Sequence, residues 1–265
     1  MDILTHIISG TAAGTVVAAF TPKSRKYRIA TIASGSFGGF FPDLDVISMW
    51  SGFDSTIGRL FNLQHTGKEI FDAQLWYSHH GFLHSFAGSI IVALLIGITI
   101  FLFRDGGHKK LSTKAFTASV SKHKEWLLAF IAGFVIHSIE DMPTPSGGWE
   151  GVNFWWPVNT YTGGTGEIWW WNNYDIFLIV SAITGINLLL LFFVKKIALR
   201  KITLVVFIAG MGLTLYQVKT RGFNCNKYKR RGVCERMSKQ KQKGIIGDNL
   251  YLLMDKFDKL IPVAF

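Results

Sequence analysis

The stretch FAGSIIVALLIGITIFLF, residues 86–103, runs for 18 positions without a charged side chain. A helix needs about 20 mostly apolar residues to cross a bilayer, with a range of about 17–25. A water-soluble core helix would carry a polar face at the helical period, and this stretch has none. Residues 176–194 and 202–218, 19 and 17 long, are also free of charge. All three runs predict transmembrane helices.

Three earlier runs are weaker. Residues 3–20 carry His6 near their start, and residues 29–41 and 126–139 are short for a full crossing. The first two contain Gly10-x-x-x-Gly14 and Gly35-x-x-x-Gly39, a spacing of small residues that lets membrane helices approach closely. The expected fold is therefore all-α: a polytopic membrane helical bundle of about six apolar helices, followed by a basic, amphipathic C-terminal tail. Residues 1–194 are expected to form one membrane-embedded domain, and residues 195–265 to add one further membrane helix and the tail.

Composition agrees with this class. Of 265 residues, 49% are hydrophobic and only 17% charged, with mean hydropathy +0.29. The charged share lies below the ~25% of an average soluble domain, and a disordered chain is excluded. Two cysteines exclude a disulfide-dense scaffold and a four-thiolate zinc ribbon.

The chain nevertheless has net charge +11, and that charge is segregated. Residues 21–28 carry four Lys/Arg, residues 104–125 six, and residues 195–201 four. Residues 141–175 carry none, and residues 42–85 only Arg59 and Lys68. Asp2 precedes the first run and cations follow it, the reverse of a secretory signal. Six spans with both termini outside put the three cationic loops in the cytoplasm, as the positive-inside rule requires.

Residues 219–243 hold ten more Lys/Arg together with Cys225 and Cys234. In the six-span arrangement this tail lies outside, where a disulfide would suit the oxidising exterior. A rival arrangement, with one weak run non-spanning, returns it to the cytoplasm. The tail ends in Ile246, Leu250, Leu253, Met254, Phe257, Leu260 and Ile261, one apolar face of a helix. Asp248 is placed to cap that helix, and Asp255 and Lys259 are an i,i+4 pair.

Histidine and aspartate are costly beside a membrane and need a reason. His6 lies in the first run. Asp43 and Asp45 follow Pro42 at the end of the second, and His79, His80 and His84 precede residues 86–103. His137 and Asp141 close residues 126–139 at i,i+4 spacing, which places both on one helix face. Asp43-x-Asp45 cannot share a helix face, although an irregular turn would let both carboxylates reach neighbouring metals. Capping of a following helix is the plainer role for that pair. Imidazole with carboxylate suits zinc or another divalent first-row metal. The six-span topology, set by Lys/Arg counts alone, brings all four clusters to one outer side.

These residues resemble a known family. Thr5-His6, Phe41-Pro42-Asp43-Leu44-Asp45, His79-His80-Gly81-Phe82-Leu83-His84-Ser85 and His137-Ser138-Ile139-Glu140-Asp141 followed by Thr144 and Gly147 are similar to the YdjM-type family of inner-membrane, metal-dependent hydrolases. The resemblance covers about residues 1–175, and the region after about Val194 has no assigned counterpart. The family's later aspartate falls on Asp175. The chain has His80 where the family usually has Arg, and Leu83 where it has Thr. The family's distant likeness to zinc-dependent phospholipase C implies phosphoester hydrolysis.

The resulting expectation is a site with two or three divalent ions, zinc foremost. Its ligands would be His6, Asp43, Asp45, His79, His84, His137 and Asp141, with Asp43 or Asp45 bridging. Seven ligands exceed what one tetrahedral zinc uses. Glu140 or His80 would assist proton transfer. The expected substrate is a lipid or lipid-linked phosphoester, and the tail's expected partner is anionic lipid headgroups rather than nucleic acid. Two other classes stay open: a metal or proton transporter using the same His/Asp cluster, and a membrane-tethered binding protein with a basic tail. Trp149, Trp155, Trp156, Trp169, Trp170 and Trp171 read as interfacial anchors, and Gly163, Gly164 and Gly166 as turn residues.

Overall fold

The computed structural model describes residues 2–73, 75, 77–107, 111–146, 150–194, 200–227 and 231–260. Gly147, Trp149, Lys195, Lys196 and Ile261 lie outside the described residues, as do residues 228–230 of the basic block.

Among the described residues the chain is all-helical, with no strand. The order is α1 (Ile3–Ala19), α2 (Arg25–Phe40), a 3-10 segment (Phe41–Met49), α3 (Gly67–Asp72), a 3-10 turn (Phe82–His84), α4 (Phe86–Thr99), α5 (Thr113–Asp141), α6 (Tyr174–Phe193), α7 (Ile202–Lys219), α8 (Arg231–Ile246) and α9 (Asp248–Leu260). A π turn, Ile100–Arg104, extends α4.

Among the described residues, three helices are long and apolar enough to cross a membrane: Phe86–Arg104, Tyr174–Phe193 and Ile202–Lys219. They coincide with the three charge-free runs. Their outward side chains are apolar and exposed, among them Leu95, Leu189 and Val205, which suits lipid contact and not water. The other apolar helix, α1, has 17 residues. The run at residues 126–139 is the C-terminal half of the 29-residue α5. These earlier helices are present but fall short of the full set of six clear spans.

Helix starts follow local chemistry. Asp2 accepts from the Thr5 backbone N–H at 2.9 Å, and Ser85 from that of Gly88 at 2.8 Å, each satisfying a donor that the first helical turn leaves unpaired. Pro42 is the second residue of the 3-10 segment after α2, where the chain leaves regular α geometry.

Glycine sets the packing that positions the site. Helices α1, α2 and α5 meet pairwise. A Cβ at Gly10 would strike the Gly35 carbonyl oxygen, one at Gly39 the His6 carbonyl, and one at Gly133 the Gly35 carbonyl. Only a residue without a side chain permits such an approach. The small-residue spacing seen in the sequence therefore draws three backbones together beneath His6, Asp43 and His137. Helix α6 joins α1 through polar contacts: Asn187 Nδ2 donates to Thr15 Oγ1 at 3.0 Å, and Thr184 Oγ1 to the Ile8 carbonyl at 3.1 Å.

Cations of residues 21–28 and 104–125 gather at the far end. Lys23 Nζ pairs with Glu125 Oε2 at 2.7 Å, Arg104 sits over the Trp126 ring at 4.9 Å, and Arg25 over Phe192 at 5.2 Å. The tail docks at the opposite end, beside the His/Asp cluster. Cys225 N donates to the Gly166 carbonyl at 2.7 Å, Lys219 Nζ to Glu167 Oε1 at 2.6 Å, and Cys225 is bonded to Cys234.

Trp169, read from the sequence as an interfacial anchor, is instead buried against the Cys225–Cys234 pair. Trp155 and Trp171 are exposed, and Trp156 stacks edge-on against Phe82. Gly163, Gly164 and Gly166 have φ of 92°, 62° and 70°, the left-handed turns expected of them.

Candidate metal centre

The Nε2 atoms of several histidines point at the same carboxylates. His6 Nε2 lies 3.2 Å from Asp141 Oδ1. His137 Nε2 lies 3.2 Å, and His84 Nε2 3.5 Å, from Asp141 Oδ2. The same His137 atom is 3.5 Å from Asp43 Oδ1 and 3.2 Å from His84 Nε2. Two groups result, each with all its ligand atoms within 4.8 Å of one another: Asp43, His84, His137 and Asp141, and His79, His80 and His84. His84 belongs to both. These His/Asp groups could hold a metal ion.

Besides His79, whose Nδ1 meets Asp45, four of the histidines have their other ring nitrogen anchored. His6 Nδ1 donates to Glu140 Oε2 at 2.9 Å, and His137 Nδ1 to the Gly39 carbonyl at 2.7 Å. His84 Nδ1 donates to Asp45 Oδ2 at 3.1 Å, and His80 Nδ1 to the Gly151 carbonyl at 3.1 Å. A metal-ligating histidine is commonly held in this way, which fixes its tautomer and aims its free nitrogen.

The residues fit a cation by a second measure. His6 is fully buried, and its Nε2 faces the Asp141 carboxylate at 3.2 Å without the geometry of a hydrogen bond. A buried ring nitrogen and a carboxylate oxygen that converge without a well-aligned hydrogen bond leave both lone pairs open to a shared cation. An all-imidazole and carboxylate donor set suits a borderline divalent metal.

Asp45 lies differently from Asp43. Both of its oxygens are taken by imidazoles, Oδ1 by His79 Nδ1 at 2.8 Å and Oδ2 by His84 Nδ1. Burial would raise this carboxyl, but His84 and His79 outweigh it and hold it well below the usual carboxylate range. The helix that follows, α3, is capped by Thr66 together with Glu69, so neither aspartate serves as its cap. Glu140 is likewise engaged with His6. It orients a cluster member from behind, which its place next to Asp141 in sequence does not reveal.

His80 is nearly buried and adopts φ +64°, a left-handed conformation disfavoured for a residue with a Cβ. It is held there from two sides. Asn153 N donates to its carbonyl at 2.9 Å, while its ring binds Gly151. Strain of this kind concentrates at functional sites. Its Nε2 stands 3.7 Å from Asp141 Oδ2. Burial, with His79 and His84 beside it, pushes His80 well below its ordinary value.

Asp175 does not join the His/Asp groups. Its two oxygens accept from Arg221 Nη2 at 2.8 and 3.0 Å, and both side chains are buried. The later aspartate suggested by the resemblance is thus a structural partner of the chain just after α7. Arg221 carried no sequence signal beyond its place after the last apolar run.

No curated protein and no solved structure matches the chain. A family model described as YdjM inner membrane protein matches residues 1–222. The match extends past residue 175, where the sequence resemblance was expected to stop, and includes α6 and α7. The motifs from His6 to Thr144 and the helices that carry them are part of that shared region. The chain belongs to the YdjM inner membrane protein family.

Proposed function

We propose that this protein is a metal-dependent hydrolase that cleaves a phosphoester of a lipid or lipid-linked substrate at the extracytoplasmic membrane surface. The observation that carries the reading is the ligand group of Asp43, His84, His137 and Asp141, with rings anchored from behind by Glu140, Asp45 and the Gly39 carbonyl. The segregation of Lys/Arg supports a six-helix crossing with the site on the outward side, under the positive-inside rule.

Two ions, or three, would be held by His6, Asp43, His79, His84, His137 and Asp141, with zinc the metal that best suits the donors. Bound divalent ions supply Lewis-acid polarisation of a phosphoryl oxygen and acidify water. The protein's own contribution is orientation. Asp45 holds His79 and His84, Glu140 holds His6, and the Gly39 carbonyl holds His137. His80, neutral and beside Asp141, is placed to accept a proton during hydrolysis. Glu140 is a positioning residue in this scheme, since its near oxygen is committed to His6.

The ligands lie at helix ends and not midway along them. This favours chemistry at the surface over a transmembrane ion path. The test is metal analysis of the purified protein together with phosphodiesterase and phospholipase assays on a lipid panel. Stoichiometric metal with hydrolysis of a phospholipid is expected. A His84→Ala, His137→Ala double variant with unchanged metal content would refute the site.

A further inference from the structure

Away from the His/Asp cluster, helix α9 carries more apolar surface than its docking uses. Tyr251 and Met254 are buried and pack with Tyr174, Phe177 and Leu178 at the start of α6. The Tyr251 and Tyr174 rings lie 5.2 Å apart, and Tyr174 Oη donates to Asp258 Oδ2 at 3.3 Å. Met254, part of the apolar face visible in the sequence, is thus consumed by the dock. Leu250, Leu253, Phe257 and Leu260 are not: all four are exposed, Leu253 by 61% and Leu260 by 80%.

Helix periodicity divides α9 into three sectors about 120° apart. Tyr251, Met254 and Asp258 form the docked one. Leu250, Leu253, Phe257 and Leu260 form the second. Asp248, Lys256 and Lys259 form the third, with Leu252 as its apolar exception. A helix laid on a core in water needs one apolar stripe, with polar residues opposite. A second apolar sector, set apart from the docked one, calls for a second apolar medium.

The place of docking identifies that medium. Helix α6 is long and apolar enough to cross a membrane. Its Leu178, Ala182, Ile186, Leu189 and Phe193 recur at steps of three or four residues, which puts them on one face. Ile186, Leu189 and Phe193 are exposed, the lipid-facing part of that stripe. Leu178, at its Tyr174 end, packs against α9. Helix α9 therefore lies beside the span at its end, and the Phe257 ring, 6.2 Å from that of Phe177, joins the second sector to the flank of α6.

We propose that α9 lies in the membrane–water boundary, with Leu250, Leu253, Phe257 and Leu260 inserted among lipid acyl chains and Lys256 and Lys259 turned toward the headgroups. The bilayer is the occupant of this face because the face continues the lipid-facing stripe of α6. An amphipathic helix at such a boundary buries its apolar side and keeps its cations at headgroup level. Helix α9 lies beyond residues 1–222, which the family model matches, so this contact is an addition to the shared region. It does not depend on the hydrolase reading.

The experiment uses the full chain, reconstituted in vesicles of phosphatidylethanolamine and phosphatidylglycerol. Cys225 and Cys234 are bonded to each other, so Leu250→Cys, Leu253→Cys and Lys259→Cys each offer a single free thiol for a nitroxide label. Relaxation of the nitroxide by oxygen, which enters the bilayer, and by a water-soluble nickel chelate, which does not, reads its depth. Labels at 250 and 253 are expected about 5–10 Å below the headgroup boundary, and the label at 259 at or above it. Equal access of the nickel chelate to all three positions puts α9 in water and overturns the proposal. Shielding of 250 and 253 from both reagents means that protein, such as a second copy of the chain, covers the face, and overturns it as well. A label at 259 as deep as that at 253 does the same.

Discussion

His84 Nδ1 donates to Asp45 Oδ2 at 3.1 Å, and this turns the opposite ring nitrogen of His84 toward His137 and Asp141. One carboxylate outside the ligand groups therefore decides where a histidine common to both of them points.

Asp45→Asn is the substitution that isolates this role. It keeps the shape and removes the charge that holds two imidazoles. Loss of such an outer partner costs about 10–100-fold in metal affinity. Competitive titration with a metal chelator should show that loss while the helical content by circular dichroism stays as in the wild type. An unchanged affinity would mean that Asp45 does not orient the rings.

Glu140→Gln should separate positioning from proton transfer. The amide oxygen still accepts from His6 Nδ1, so the ring stays oriented and hydrolysis falls only modestly, whereas Glu140→Ala loses metal. His80→Gln should instead retain metal and lose turnover, with kcat falling and KM little changed. If Glu140→Gln abolishes turnover with metal fully bound, Glu140 and not His80 handles the proton.

Gly39→Ala tests the backbone approach beneath the site. Its Cβ would collide with the His6 carbonyl, and a forced shift in a packed interior costs about 1–3 kcal/mol. A lowered melting temperature in detergent together with weakened metal binding is the expected pair of readings. Gly185→Ala, where a Cβ meets nothing within 4 Å, should leave both as in the wild type.

At the far end, Asp105 predicts an acid-sensitive tie between the α4 extension and α5. Hydrogen bonds from Lys122 Nζ at 2.6 Å and Ser119 Oγ at 2.7 Å hold its carboxyl at about 2, below the ordinary 3.8. A depressed folded value means the contribution is full above pH 3.8 and is lost as pH falls through about 2. Lys122 is largely exposed, so the tie contributes only about 0.2–1 kcal/mol. Asp105→Asn should flatten the acid limb of the melting-temperature profile and leave the neutral plateau slightly lower.

Much of this was legible along the chain. The charge-free runs marked three spans because a bilayer demands length and apolarity, both of which are local properties. The small-residue spacing marked the α1–α2 contact for the same reason. The motifs with His6, Asp43, His79, His84, His137 and Asp141 could be named because imidazole and carboxylate beside a membrane are costly and therefore informative.

Other features depended on side chains meeting across long sequence separations. The sequence treats Asp43 and Asp45 alike, two carboxylates one residue apart. Only the fold turns Asp43 toward His137 and Asp45 toward His79 and His84. Glu140 becomes the anchor of a histidine 134 positions away. Asp175, set apart by resemblance as a site residue, is claimed by Arg221. Trp169 looks like its interfacial neighbours until the Cys225–Cys234 pair packs over it. The sequence by itself determined which residues cannot rest in lipid without a partner. The tertiary structure decided which partner each one has, because hydrogen bonds reach about 3 Å and their choice among equivalent side chains is made by helix packing, not by spacing along the chain.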